Sequence, residues 1–282
     1  MKIAMFYATL TPYCTGAVLH RTLAGLGHEV SAFDSTDPEW AGKADLRDYD
    51  LYLEVHSSRH YHKLPIPHGP RAYWAIDTHA NYADELSIAK NNEFVFVPHV
   101  EGWTRMVKDL PEKAERIHLL PLAAYGENIY ERGLPRMLDV AFVGHKQVLR
   151  RLFMRFVKRN FKNGFCGTAY LDELGKIYST AKIGLNYSVV NELNLRMFEI
   201  AGSGALLLSN VVPETRFLDT LKPGKHYIEY KTLGELRELV RHYLRHPKER
   251  EKIARAGQKL VLEKHTLRHR AEEILRIVKK DA

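Results

Sequence analysis

The sequence predicts an α/β protein of two doubly wound parallel-sheet domains. Three observations predict it. The chain opens strand–loop–helix–strand, the start of a doubly wound sheet. A second opening of the same kind begins in mid-chain at Leu138, with LDVAFVG. Continuous apolar runs such as Ala205–Leu208 fit strands covered on both faces, as in parallel sheets. At 282 residues the chain suits two domains. The boundaries expected are 1–134, 135–265, and a closing helix over 266–282.

Taken in order, Lys2–Tyr7 reads as the first strand. The loop Thr11–Gly16 leads into a helix, Ala17–Leu26, with Val18, Leu19, Leu23 and Leu26 apolar. Gly27 stops it, and Glu29–Phe33 is the second strand. Strands follow at Leu51–Val55, Arg71–Ile76, Phe94–Val97 and Ile117–Leu120, with helices at Ala83–Lys90 and Trp103–Leu110 between them. Arg132, Gly133 and Pro135 mark a linker. After the Leu138 strand, a helix over Gln147–Arg159 carries an apolar stripe of Leu149, Leu152, Phe153 and Phe156. Phe161–Gly167 is the next strand, Leu171–Ala181 a helix and Ile183–Ser188 a strand. Leu193–Ala201 is a helix on the spacing of Leu193, Met197, Ile200 and Ala201, stopped by Gly202-Ser203-Gly204. After the Ala205–Leu208 strand come a strand over Lys225–Tyr230 and a helix carrying Leu233, Leu236, Val240, Tyr243 and Leu244. Pro247–Ala256 is a helix that Gly257 is expected to stop. The last helix, His269–Lys279, turns Ala271, Ile274, Leu275 and Val278 inward.

Composition narrows the classes. Hydrophobic residues make up 45% and aromatics 10%, ordinary globular values, so disorder is not expected. No apolar run is long enough for a membrane span. The opening run is read as a strand and not a signal peptide, because no small-residue cleavage site follows. The two cysteines, Cys14 and Cys166, form neither a disulfide framework nor a zinc pattern, which points to the cytoplasm. Charge is lopsided: residues 1–137 carry 14 basic against 18 acidic side chains, and residues 138–282 carry 28 against 16. The second half therefore favours an anionic ligand: a nucleotide diphosphate, a nucleic acid or an acidic membrane surface.

Several residues stand out as candidates. Arg196 and Glu199, three apart on one helix, are either a surface ion pair or a ligand pair. As a ligand pair, the carboxylate would accept two ribose hydroxyls and the guanidinium would hold a phosphate. Lys146, Arg150 and Arg151 crowd a helix start beside Gly144, where an anion is favoured; the alternative is a solvated basic face. Gly16, Asn186 and Asn194 complete the donor-side set. Asp77 and His79 follow a strand end, where ligands meet open α/β sheets. Either a turn cap or catalysis accounts for them. His56, His60, His62 and His68 lie in HSSRHYHKLPIPH, whose spacing suits no standard metal site. No bound metal and no cofactor are expected.

The stretch RMFEIAGSGALLLSN resembles the core motif of GT-B glycosyltransferases, of the CgeB-like, spore-maturation type within glycosyl transferases group 1. The likeness continues through KHYIEYKTLGELRELVRHYLRHPKEREKIARAGQKLVLEKHTLRHRAEEIL and covers Asp139 to Leu275. LAGLGHEV resembles the opening of many such enzymes, and HLLPLAAYGENIYE their passage out of the first domain. The resemblance implies two Rossmann-like domains facing a cleft. The first would bind the acceptor and the second a nucleotide-diphosphate sugar, with the final helix crossing back to the first. It implies that Glu199 binds the nucleotide ribose. Related retaining enzymes carry an E-x7-E pair; its first position would be Asn191 here, with Glu192 adjacent, and this departure leaves the contact to the donor sugar open.

The expected activity is metal-independent sugar transfer from a nucleotide sugar to a glycan, protein or lipid-linked acceptor, with retention favoured. Lys146, Arg150, Arg151 and Arg196 would stabilise the departing diphosphate. Asp77 and His79 are the choices for a general base. Nucleic acid is disfavoured as a partner because the basic residues lie mostly on amphipathic helices; peripheral membrane contact is left open. The alternatives are a nucleic-acid-binding or nucleic-acid-modifying GT-B protein and a nucleotide-sugar epimerase of the same fold.

Overall fold

The structure is a computed structural model that describes residues 1–36, 45–56, 69–126, 133–145 and 148–281. The chain divides into two compact units, residues 1–121 with 268–282, and residues 122–267. The divisions fall at Pro121–Leu122 and Leu267–Arg268, where the sequence placed them at 134/135 and 265/266. Gly133 and Pro135 of the expected linker lie inside the second unit, and Arg132 lies outside the described residues.

The first unit is a six-stranded parallel sheet in the order β2-β1-β3-β4-β5-β6. Its strands are β1 (Lys2–Tyr7), β2 (Glu29–Asp34), β3 (Leu51–His56), β4 (Arg71–Ala75), β5 (Phe94–Val97) and β6 (Ile117–Leu119). Helices α1 (Thr15–Gly25), α2 (Tyr82–Asn91) and α3 (Val100–Asp109) connect strands. Strands β1, β4 and β5 are buried almost throughout, which is why they read as apolar runs without alternation.

The second unit is a five-stranded parallel sheet in the order β11-β10-β9-β7-β8. Its strands are β7 (Leu138–Val143), β8 (Gly164–Gly167), β9 (Ala181–Asn186), β10 (Leu206–Asn210) and β11 (Ile228–Tyr230). Its helices are α4 (Val148–Asn160), α5 (Leu171–Thr180), α6 (Leu195–Gly202), α7 (Leu233–Arg245) and α8 (Pro247–Lys264). The last helix, α9 (Leu267–Asp281), belongs almost wholly to the first unit, where Arg270 donates to the Pro121 carbonyl at 2.6 Å.

Alternation along β7 sends Ala141 and Val143 to one face, under α5 and α6, and Val140 and Phe142 to the other, under α4 and α7. Each fully buried large apolar side chain contributes about 1.5–3 kcal/mol, so this double-sided core is what fixes the helices in place. One contact sets the height of α6. Gly184 on β9 leaves so little room that a Cβ there would sit 2.2 Å from Ile200 Cγ2. Glycine at that strand position lets the helix lie against the sheet.

Three expectations are corrected. Gly257 does not end a helix: α8 runs on to Lys264. The residue is glycine because a Cβ would stand 2.5 Å from the His226 carbonyl oxygen, so it allows close packing and is no stop signal. Leu152 is not part of the inward stripe of α4; Phe153, Met154 and Val157 take the core, and Leu152 is 64% exposed. The strand expected over Phe161–Gly167 begins only at Gly164, because the Phe161 N–H still closes α4 onto the Val157 carbonyl at 3.0 Å.

Candidate functional site

Both sheets have the same connectivity, with a break in winding between their first and third strands. In the second unit that break lies between β7 and β9. Ligands of open α/β sheets bind beyond the carboxyl ends of the strands at such a point. The residues there are Val143 and Gly144 at the end of β7, and Asn186 at the end of β9.

Arg196, in the first turn of α6, spans this point. Its Nε donates to the Val143 carbonyl at 2.6 Å and its Nη1 to Asn186 Oδ1 at 3.0 Å. Its guanidinium also lies over the Phe142 ring, 5.0 Å from the centroid. A Cβ on Gly144 would come within 2.9 Å of Arg196 Nη2, so glycine lets the guanidinium lie this close to the strand end. Asn186 is itself fixed: it donates to Ser209 Oγ at 2.8 Å and its carbonyl accepts from the Tyr230 hydroxyl at 2.7 Å.

Arg150, in the first turn of α4, is half-buried near Arg196. Burial, and then the Arg196 charge, push it down to about 10, so it stays cationic at neutral pH. Its Nε is buried without a partner. A guanidinium nitrogen without a protein partner, beside a second cation, favours an anion at this point. Glu199 lies one turn along α6 from Arg196 and is buried, with 6% exposure. No salt bridge joins the two, so the surface ion pair is not formed. Burial raises the Glu199 carboxyl to about 7, while the Arg196 charge pulls it the other way.

The other candidates separate. Asn194 is the residue before α6; it makes no side-chain cap bond and its Oδ1 is buried without a partner. Lys146 lies outside the described residues. Arg151 does not join the group: it is exposed and lines a groove with Met154, Arg155, Lys158 and Arg159. Gly16 belongs to the first unit, and a Cβ on it would stand 2.4 Å from Tyr7 Cβ, so it serves the packing of α1 on β1. Asn191 adopts φ +57° and its Oδ1 accepts from Asn210 at 3.1 Å, which fits a turn former.

In the first unit, Asp77 is half-buried in the turn after β4, where its carbonyl accepts from the Ala80 N–H at 2.8 Å. His79 is exposed, with its ring centroid 6.0 Å from that of buried His99. His60, His62 and His68 lie outside the described residues. Beneath the Asp77 turn is a residue that periodicity alone did not single out. Glu85 on α2 is buried; its carboxyl receives the Tyr73 hydroxyl and the Asp77 backbone N–H. Burial raises it to about 8. Its spacing from Ile88 and Ala89, on the buried side of α2, was the signal that could have found it.

Comparison with known proteins bears on the fold. Residues 138–276 match the family described as glycosyl transferase-like. No curated protein sequence matches the chain. Among solved structures, T4 phage BGT with its UDP-glucose substrate superposes with a TM-score of 0.64 at 15% identity, over 99% of both chains. HepE of Anabaena with UDP-glucose gives 0.67 at 9% identity, over 99% of this chain and 100% of that one. Sucrose-phosphate synthase of Thermosynechococcus elongatus gives 0.62 at 12%, over 100% of each. The phage enzyme is also seen with UDP and Mn2+. Residues 138–276 thus resemble glycosyl transferase-like proteins, and the chain as a whole has the two-sheet GT-B fold of these structures.

Proposed function

We propose that this protein transfers a sugar from a UDP-sugar to an acceptor, with the second unit holding the donor. The observation that carries the reading is the trio Arg150, Arg196 and Glu199 at the β7/β9 break. Two guanidiniums, with a carboxyl as the neighbouring anion, suit a diphosphate and a ribose at once. Uracil as the base is suggested by the fold's likeness to the phage enzyme and to HepE, both seen with UDP-glucose. Asn186 would hold Arg196 in place.

Breaking the bond between anomeric carbon and diphosphate leaves negative charge on the leaving group. Cations fixed before the reaction stabilise that charge without reorganising. Here Arg196 is held by two hydrogen bonds and Arg150 by its place on α4. The first unit would present the acceptor. Retention is the course we favour; a donor phosphate oxygen then takes the acceptor proton, and Asp77 and His79 orient the acceptor. Under inversion one of the two is the base. Metal independence and a cytoplasmic location belong to the same proposal.

A melting panel of nucleoside diphosphates and UDP-sugars tests the reading. Ligand at a hundred times its dissociation constant stabilises by about 2.7 kcal/mol. The reading expects a shift with UDP-glucose that persists in EDTA. Absence of any shift with UDP and UDP-sugars alike overturns it. Net release of UDP, which requires transfer or hydrolysis, separates both from epimerisation, which interconverts UDP-sugars without an acceptor.

A further inference from the structure

The positive charge of the second half is uneven once its ion pairs are set aside. Helices α7, α8 and α9 interleave acids with bases: Arg241 with Glu238 at 3.2 Å, Arg255 with Glu251 at 3.9 Å, Arg268 with Glu272 at 2.8 Å. Helix α4 has no acid at all. Arg150 serves the site described above, but Arg151, Arg155, Lys158 and Arg159 are exposed and make no ion pair among the described residues. On the same side stand two aliphatic side chains, Val148 at 77% and Leu152 at 64% exposure. They are one turn apart, so they share a face, with Arg155 and Arg159 continuing the stripe. Val148 to Arg159 spans about 16 Å along the helix axis.

From these observations we infer that the outer face of α4 docks on an anionic lipid surface. Cations attract a surface of either phosphodiester headgroups or nucleic acid. The aliphatic pair decides between them. Helices that lie in a membrane interface combine a basic face with apolar side chains that enter the acyl boundary. A nucleic-acid groove offers Val148 and Leu152 no apolar phase. Exposed, they gain nothing in water, and the core beneath is already filled by Phe153, Met154 and Val157. Each cation held near an anionic leaflet strengthens partitioning about fivefold. The inference goes beyond sugar transfer and does not depend on donor identity.

Co-sedimentation of the full chain with vesicles tests it, using phosphatidylcholine alone and phosphatidylcholine doped with phosphatidylglycerol. Binding is expected to the doped vesicles only, and to weaken with salt. The pair Arg155→Glu/Lys158→Glu should reduce partitioning by at least about twenty-five-fold, fivefold for each cation lost. The pair Val148→Ser/Leu152→Ser should reduce it as well. Unchanged melting temperatures in both variants exclude unfolding as the cause. Three results overturn the proposal. The first is no binding to doped vesicles. The second is binding that either pair leaves unchanged. The third is duplex DNA binding that the charge reversal abolishes while vesicles are ignored.

Discussion

Glu199 gives the sharpest test, because its burial bears on stability and, on the proposed function, on donor affinity as well. Its folded carboxyl titrates at about 7 against an ordinary 4.5, raised by burial. A raised carboxyl favours the folded state fully below the unfolded value. That contribution is lost as pH climbs from 4.5 through about 7. The loss amounts to about 3 kcal/mol, because each tenfold change in proton affinity is worth about 1.36 kcal/mol. Glu199→Gln mimics the protonated carboxyl at every pH. The variant and the wild type should therefore melt together near pH 4.5 and diverge above it. At pH 8 the variant should be the more stable by several degrees, since 1 kcal/mol moves the midpoint of a domain this size by about 2–4 °C.

Donor affinity should move the other way. On the proposed function, ribose hydroxyls donate to the ionised carboxylate, so binding at pH 6 should release a proton. UDP-glucose affinity should rise about tenfold for each pH unit up to the Glu199 value and then level off. UDP-glucose is the right probe because its diphosphate does not titrate in this range. In Glu199→Gln the affinity should be flat with pH, and at pH 8 weaker by about tenfold or more, the loss of charged hydrogen bonds at about 1.5–3 kcal/mol. Differential melting and calorimetry in buffers of different ionisation enthalpy read both effects. A stability difference that stays constant from pH 4.5 to 8 would refute the buried carboxyl, and equal affinities at pH 8 would refute the ribose contact.

Further expectations follow from the same geometry. Arg196→Ala removes the bonds to Val143 and Asn186 and the charge beside Arg150. UDP-glucose affinity should fall by about tenfold or more by calorimetry, and an unchanged constant would take Arg196 out of the site. Gly184→Ala forces a methyl against Ile200 and should cost about 1–3 kcal/mol in denaturant unfolding. A neutral result there would mean that α6 is free to shift. Asp77→Asn and His79→Ala should lower turnover far more than they weaken donor binding, and wild-type rates in both would remove them from the reaction.

Much of the fold was legible because periodicity records which face of an element is apolar. The restart at Leu138 and the alternation of apolar runs with amphipathic segments pointed to two doubly wound sheets. The spacing of Met197, Ile200 and Ala201 marked out α6, and so put Arg196 and Glu199 on one helix. Periodicity fails where two residues compete for one inward place. In α4, Leu152 and Met154 are both apolar, and only the packing of Phe153 and Met154 on β7 and β9 leaves Leu152 outside. It fails again at Gly257, where a helix stop and a close helix crossing look alike in sequence.

The site divides in the same way. Sequence alone determined the residue types that the site could draw on: cations after β7, an arginine and a glutamate on the helix after β9, a glycine at each turn. Tertiary structure decided which of them meet. Strand order puts β7 beside β9, so Arg196 bonds a carbonyl 53 residues away. Helix rotation brings Arg150 in and leaves Arg151 out. Burial under the helices makes a proton-binding carboxyl of Glu199, and another of Glu85. A side chain's charge state depends on the atoms that replace water around it, and those atoms come from segments distant in the chain.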